Sequence, residues 1–199
     1  MTTTVDYYFA TISPWMYLGH ARFTDLVHQH HATVHVKPAN FGEVFPASGG
    51  LPLSKRAPQR QAYRLVDLER VSKHLGVPLN LHPKFFPANG DLAAMWIIAA
   101  NEVSGDQGMA LTGAIAHALW VEDRDIADAE TLAVVAQGIG LDAQSLSDRA
   151  STEQIAQRYA ANTKEAIDRG VFGAPSYVID GEIFWGQDRM DFVARKLAK

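Results

Sequence analysis

The chain carries β-type patterning at both ends and helical patterning between them, and that order constrains the fold more than any single motif. Val5–Ala10, VDYYFA, has the β-branched and aromatic content of a strand. Ser13-Pro14 follows at once. Ser ahead of Pro at the first helical position is a start signal, because Pro lacks only an N–H that a first turn leaves unpaired anyway. Met16, Gly19, Phe23, Leu26 and Val27 then recur at helical spacing, and Thr33–Lys37, TVHVK, completes a β–α–β unit before Pro38. At the far end Ser176–Asp180, SYVID, predicts a strand, Asp180-Gly181 a hairpin turn and Glu182–Trp185 its partner. Gly186 breaks that pattern, and QDRMDFVARKLAK predicts a closing helix with Met190, Val193 and Leu197 inward.

Between these ends, Phe41 to Pro58 carries Pro46, Pro52 and Pro58 with Gly42, Gly49 and Gly50, which predicts a long irregular loop. From Gln59 on, Leu68, Val71 and Leu75 line one side of a helix that Gly76 and Pro78 stop. Beyond LNLHPKFFPANG, helices are expected at Asp91–Val103, near Gln107–Val121 and Ala129–Gly138, and around Ala143–Ala150 and Thr152–Arg169. One sheet needs strands from both termini, so the helical block is an insertion and not a separable tail. The expected fold is α/β: a thioredoxin-like domain from residues 1–49 and 166–199, interrupted by an all-α insertion domain over residues 50–165.

The 199 residues contain no cysteine, which excludes disulfides, thiolate zinc sites and any dithiol redox chemistry carried by the protein itself. Lys and Arg total 18 against 22 Asp and Glu, so no basic balance favours a nucleic-acid partner. No apolar run is long enough for a membrane span, and MTTTVDYYFATISP has neither a basic n-region nor an apolar h-region. A cytoplasmic protein is expected.

Four local features could carry chemistry. Ser13 is either a plain helix N-cap or a hydroxyl that, with the positive helix end, stabilises an anion such as a thiolate. Phe172-Gly173-Ala174-Pro175 is either an ordinary trans turn before a strand or a cis-proline loop whose preceding residue, Ala174, pairs with an extended peptide. Trp185-Gly186-Gln187-Asp188-Arg189 is either a capped helix start or a polar cluster for a zwitterion, whose ammonium a carboxylate accepts from. His28, His30, His31 and His35 have no acidic partner at ligand spacing and read as solvated rather than metal-binding.

SPWMYLG at the first strand–helix junction, AYRLVDLERVSKHLGVPL in the middle and RGVFGAPSYVIDGEIFWGQDRMDF near the end together resemble 2-hydroxychromene-2-carboxylate isomerases. Those are relatives of kappa-class glutathione transferases and thioredoxin-like disulfide oxidoreductases. The resemblance runs from Val5 to Leu197. It implies a homodimer that binds glutathione between the two domains and acts on a small aromatic substrate. By position, Ser13 resembles the residue beside the glutathione sulfur, and Ala174 before a cis Pro175 the residue that pairs with the cysteinyl backbone. Gln187, Asp188 and Arg189 match the stretch around the γ-glutamyl end, with Asp188 receiving its ammonium. Arg60, three residues before Tyr63, stands where members commonly have Lys; it keeps the charge in a forked form. Gly49-Gly50 stands where many have Gly-Asn, which removes an amide.

The mechanism implied by the resemblance lowers the pKa of the glutathione thiol at Ser13. The thiolate adds to the conjugated ring-opened substrate, a bond rotates, and elimination releases the isomer with unchanged glutathione. Trp15, Phe41 and Trp185 are candidate apolar walls, although large aromatics are usually core. A kappa-like glutathione transferase or peroxidase would use the same site, and a non-catalytic binding module would share its fold.

Overall fold

The computed structural model describes residues 2–198. Its sheet has four strands in the order β2-β1-β3-β4: β1 Thr4–Phe9, β2 Thr33–Pro38, β3 Ser176–Ile179 and β4 Glu182–Trp185. β1 and β2 run parallel, joined by α1 (Pro14–His30), while β3 lies antiparallel to β1, with Tyr7 opposite Tyr177 and Tyr8 opposite Ser176. Asp180 and Gly181 take φ of 51° and 79°, the paired left-handed geometry of a type I′ hairpin, and so bring β4 onto β3. Both chain ends thus build one sheet.

Strand alternation sorts the two faces. Val5, Tyr7, Phe9, Tyr177 and Phe184 are buried in the main core, where the Phe23 ring of α1 lies 4.7 Å from Tyr7 and 4.5 Å from Tyr177. Tyr8 and Val178 face the other way, into a second cluster with Phe41, Val44, Ala166 and Val171.

The proline-rich segment departs from the expected loop: Phe41–Ala47 is a helix, α2, and Leu53–Lys55 a short 3₁₀ turn. Asn40 Oδ1 accepts from Gly42 N–H at 2.9 Å, and Phe41 and Val44 are both buried. A cap and two apolar anchors outweigh Pro46, which falls near the end of the helix. Gly49 (φ 75°) and the Gly50 N–H, which donates to Phe45 C=O at 2.8 Å, then end it as a left-handed C-terminal motif requires.

The helical segment follows the sequence pattern, with α3 at Pro58–Leu75, α4 at Asp91–Val103, α5 at Gly105–Trp120, α6 at Ala129–Gly138, α7 at Ala143–Ala150 and α8 at Glu153–Asp168. α5 starts earlier than expected because Ser104 Oγ accepts from Gln107 N–H. Trp96 and Trp120 are fully buried in the same core as Tyr7 and Phe9, so the helices and the sheet share one apolar interior. The chain closes with a 3₁₀ turn, Gln187–Arg189, and α9, Met190–Leu197, whose Met190, Val193 and Leu197 are buried.

Charges fasten α8 to the sheet. Lys37 Nζ lies 3.0 Å from Asp6 and 2.7 Å from Glu165, and Arg169 reaches both carboxylates. His35 does have an acidic partner, Asp6 at 2.8 Å, because the β1–β2 register sets them side by side. Burial alone would raise the Asp6 carboxyl; hydrogen bonds from Lys37 and His35 and the nearby Lys37 and Arg169 charges outweigh it and hold it below its usual range. Among the described residues, no helix is long and apolar enough to cross a membrane.

Candidate functional site

Shortly after β1 the chain turns into α1 through Ser13, which holds extended backbone and is 9% exposed. Its Oγ accepts from Met16 N–H at 3.2 Å, its N–H donates to Ala10 C=O at 3.0 Å, and its C=O accepts from Tyr17 N–H at 3.1 Å. Ser13 is therefore the N-cap. The cap occupies a lone pair and leaves the hydroxyl hydrogen free to donate, so capping and anion binding are compatible. The first turn offers few other donors. Pro14 has no N–H and Met16 spends its own on Ser13, which leaves that of Trp15.

The helical segment closes on this turn. Thr11 Oγ1 donates to Gly90 C=O at 3.0 Å, and a Cβ on Gly90 would sit 2.1 Å from that oxygen, so only glycine permits the approach. Tyr17 OH donates to Pro78 C=O at 2.8 Å. Beneath, His20 Nε2 donates to Met109 C=O at 2.9 Å, which leaves Nδ1 to accept from Tyr7 OH at 3.3 Å. Burial lowers the His20 imidazole to about 4, against a smaller opposing effect of the Met109 carbonyl, so it is neutral at pH 7.

Because Tyr8 pairs with Ser176, the residues before β3 and those that follow β1 leave the sheet at the same end, Ala174-Pro175 on one strand and the Ser13 turn on the other. The Ala174-Pro175 bond is cis. Among the described residues, neither the N–H nor the C=O of Ala174 is hydrogen-bonded, and these are the groups an extended peptide would pair with. Pro175 C=O accepts from Gly186 N–H at 2.9 Å, which fastens the Gly186–Arg189 turn to the cis-proline loop. Gly186 has φ 106°, and a Cβ there would meet Asp188 Oδ1 at 2.5 Å. Gln187 is 7% exposed and held by Arg22, whose Nη2 donates to its C=O and its Oε1, both at 2.6 Å. The Asp188 side chain is 60% exposed and pairs through Oδ2 with Arg189. It caps no helix: neither the 3₁₀ turn nor α9 has a side-chain cap.

The three aromatic candidates are divided between the sheet's two sides, Trp15 on that of the main core and Phe41 and Trp185 on that of Tyr8. Trp15 follows Ser13 and packs partly buried against the main core. Phe41 is 5% exposed within the second cluster, its ring 5.6 Å from Phe45. Trp185 stands opposite Ser176, on the Tyr8 face and away from α1; half exposed, it covers Gly173 and meets Phe172 edge-on at 4.8 Å. Arg60 is exposed in the first turn of α3. His31 ends α1 with φ 51°, and among the described residues no three His, Cys, Asp or Glu side chains are placed to hold a metal ion. Hollows of about 210 Å³ beside α4 and α7 and about 260 Å³ between α1 and α5 lie off the Ser13 turn.

Over residues 4–198 the chain matches the family description "DSBA-like thioredoxin domain". It belongs to the DsbA-like thioredoxin family. Among curated members, the 2-hydroxychromene-2-carboxylate isomerase of Sphingobium xenophagum is 31% identical over 194 residues, 97% of either chain. Rat glutathione S-transferase kappa 1 is 25% identical, covering 98% of this chain and 91% of its own. A solved 2-hydroxychromene-2-carboxylate isomerase superposes with a TM-score of 0.79 at 28% identity, over 98% of this chain and 94% of that one. Within the DsbA-like fold this member has no cysteine, so any sulfur chemistry at Ser13 uses a thiol from outside.

Proposed function

We propose that this protein is a glutathione-dependent cis–trans isomerase acting on a ring-opened aromatic intermediate of the 2-hydroxychromene-2-carboxylate type. The observation that carries the reading is a Ser13 hydroxyl with an unspent hydrogen at the start of α1, in a chain without a thiol of its own. The isomerase relatives at 31% identity and the kappa transferase relative support it.

The residues present fit glutathione. The unpaired N–H and C=O of Ala174 suit its cysteinyl backbone, presented by the cis Pro175 that follows. Asp188 Oδ1, not taken by Arg189, suits the γ-glutamyl ammonium, while the backbone N–H of Gln187 and the guanidinium of Arg189 suit the adjoining carboxylate. Arg60 is the cation we assign to the other carboxylate. In this reading residues 1–49 and 166–199 form one wall of the cleft and residues 50–165 the other.

When bound, glutathione supplies a thiol that adds to the conjugated system and leaves again, so that a double bond becomes rotatable in between. Ser13 donates its hydroxyl hydrogen to the sulfur and Trp15 its N–H. The positive end of α1 adds to both, so the ionised form is held at neutral pH. The Thr11–Gly90 contact and the Trp15 ring keep water from that side. The thermal test is direct. Millimolar glutathione should raise Tm as any ligand of the native state does. An unchanged Tm, with no heat of binding by calorimetry, overturns the reading.

A further inference from the structure

Arg22 is joined to the site by geometry that no local pattern announces. One guanidinium nitrogen, Nη2, donates to both the backbone C=O and the side-chain Oε1 of Gln187, each at 2.6 Å. Both acceptors are neutral, and among the described residues no carboxylate is paired with Arg22. A surface arginine commonly serves a carboxylate; this one is spent on a single turn of backbone. The approach needs Gly19, because a Cβ there would fall 2.7 Å from Gln187 Cβ and 3.4 Å from the Tyr177 hydroxyl. That hydroxyl and Arg22 Nε are both buried without a partner. Their neighbourhood is therefore closely packed, and away from bulk solvent a hydrogen bond is electrostatically stronger than in water.

The consequence lies one residue on. With Gln187 drawn inward against α1, Asp188 is turned outward into solvent, and Gly186 remains tied to Pro175 C=O at 2.9 Å. The same helix begins at Ser13. α1 is thus a rigid ruler with the Ser13 hydroxyl at its N-cap and the anchor of the Gln187–Arg189 turn about two and a half turns further along. We infer that Arg22 is a positioning residue that holds the Gln187–Arg189 turn at a fixed distance from Ser13, and so sets the spacing between the two ends of a γ-glutamyl thiol ligand. The inference rests on the reading of the cleft as a glutathione site and assigns a role to a residue outside it.

Arg22 touches the turn and not the sulfur, so its loss should change affinity without changing the thiol. In Arg22→Met, hydrogen exchange at the amides of Gly186 and Arg189, which donate to Pro175 C=O and Gly186 C=O, should quicken in the ligand-free protein, while the paired amides of β1 and β3 keep their protection. The dissociation constant for glutathione should rise by about tenfold. The pKa of the bound thiol, read from thiolate absorbance, should stay as in the parent. Arg22→Lys keeps a cationic donor and should recover part of the affinity, which also serves if the Met variant folds poorly. Three outcomes overturn the inference alone: an unchanged dissociation constant, a thiol pKa that moves together with it, or exchange that quickens equally across the sheet. A parent that binds no glutathione overturns the reading of the cleft, and this inference with it.

Discussion

Replacing Ser13 by alanine removes a cap and a donor at once, and releases a second donor in the same place. Loss of the cap alone costs about 1 kcal/mol, which for a chain of this size lowers Tm by about 2–4 °C. Loss of the hydroxyl donor removes a hydrogen bond to an anionic sulfur, worth about 1.5–3 kcal/mol. At about 1.36 kcal/mol per pKa unit that would raise the bound thiol by about 1–2 units. However, the Met16 N–H that Ser13 Oγ now accepts at 3.2 Å becomes free when the hydroxyl goes, and Trp15 N–H is still present. The expected net rise is therefore near the lower end, about 1 unit. The assay is titration of bound glutathione by thiolate absorbance in the ultraviolet, in parent and Ser13→Ala. The variant curve should move to higher pH, and turnover at neutral pH should fall by up to about tenfold and recover as pH rises. Coincident titration curves alongside a lower Tm would show that Ser13 is a cap and nothing more.

Other residues give independent checks. The folded His20 titrates near 4 and an ordinary histidine at 6.5, so its stabilising contribution is complete above 6.5 and is lost as pH falls through 4. Full protonation costs on the order of 3 kcal/mol, so Tm should drop between pH 6.5 and 4 more steeply in the parent than in His20→Gln; parallel curves would refute a neutral, buried His20. Asp188→Asn should weaken glutathione by about 1.5–3 kcal/mol at constant Tm, since Asp188 caps nothing, and equal affinities by calorimetry would remove it from the site. Gly90→Ala places a Cβ 2.1 Å from Thr11 Oγ1 and should destabilise by about 1–3 kcal/mol in chemical denaturation. The cost should shrink in a Thr11→Ala background; strictly additive effects would mean the two do not touch.

What could be read along the chain was what short stretches decide for themselves. Asp180-Gly181 demands left-handed φ at both positions, Gly76 ends α3 at φ 65°, and Ser13-Pro14 starts α1, so these elements were legible. Ser13, Ala174-Pro175 and Gln187–Arg189 stood out as separate motifs, but each short stretch left two readings open, and the cis Ala174-Pro175 bond is not written in its own residues. α2 was not, because Pro46 and its glycines look like a loop until Asn40 is seen capping and Phe41 and Val44 are seen buried. Nor could sequence show which way Trp185 and Phe41 turn. Sheet register decides that for Trp185, where a shift of one residue would exchange the faces, and the capped helix α2 decides it for Phe41. Arg22 on Gln187, Thr11 on Gly90, His20 on Met109 and His35 on Asp6 join residues far apart in the chain, where no local spacing carries a signal.

The most direct measurement of the central claim is turnover of 2-hydroxychromene-2-carboxylate by the purified protein, with and without glutathione, while free thiol is counted. The expected result is isomerisation that depends on glutathione, saturates with it and leaves the thiol count unchanged over many turnovers. Isomerisation at the same rate without glutathione would contradict the claim, and so would one thiol consumed for each product formed, which is the behaviour of a transferase.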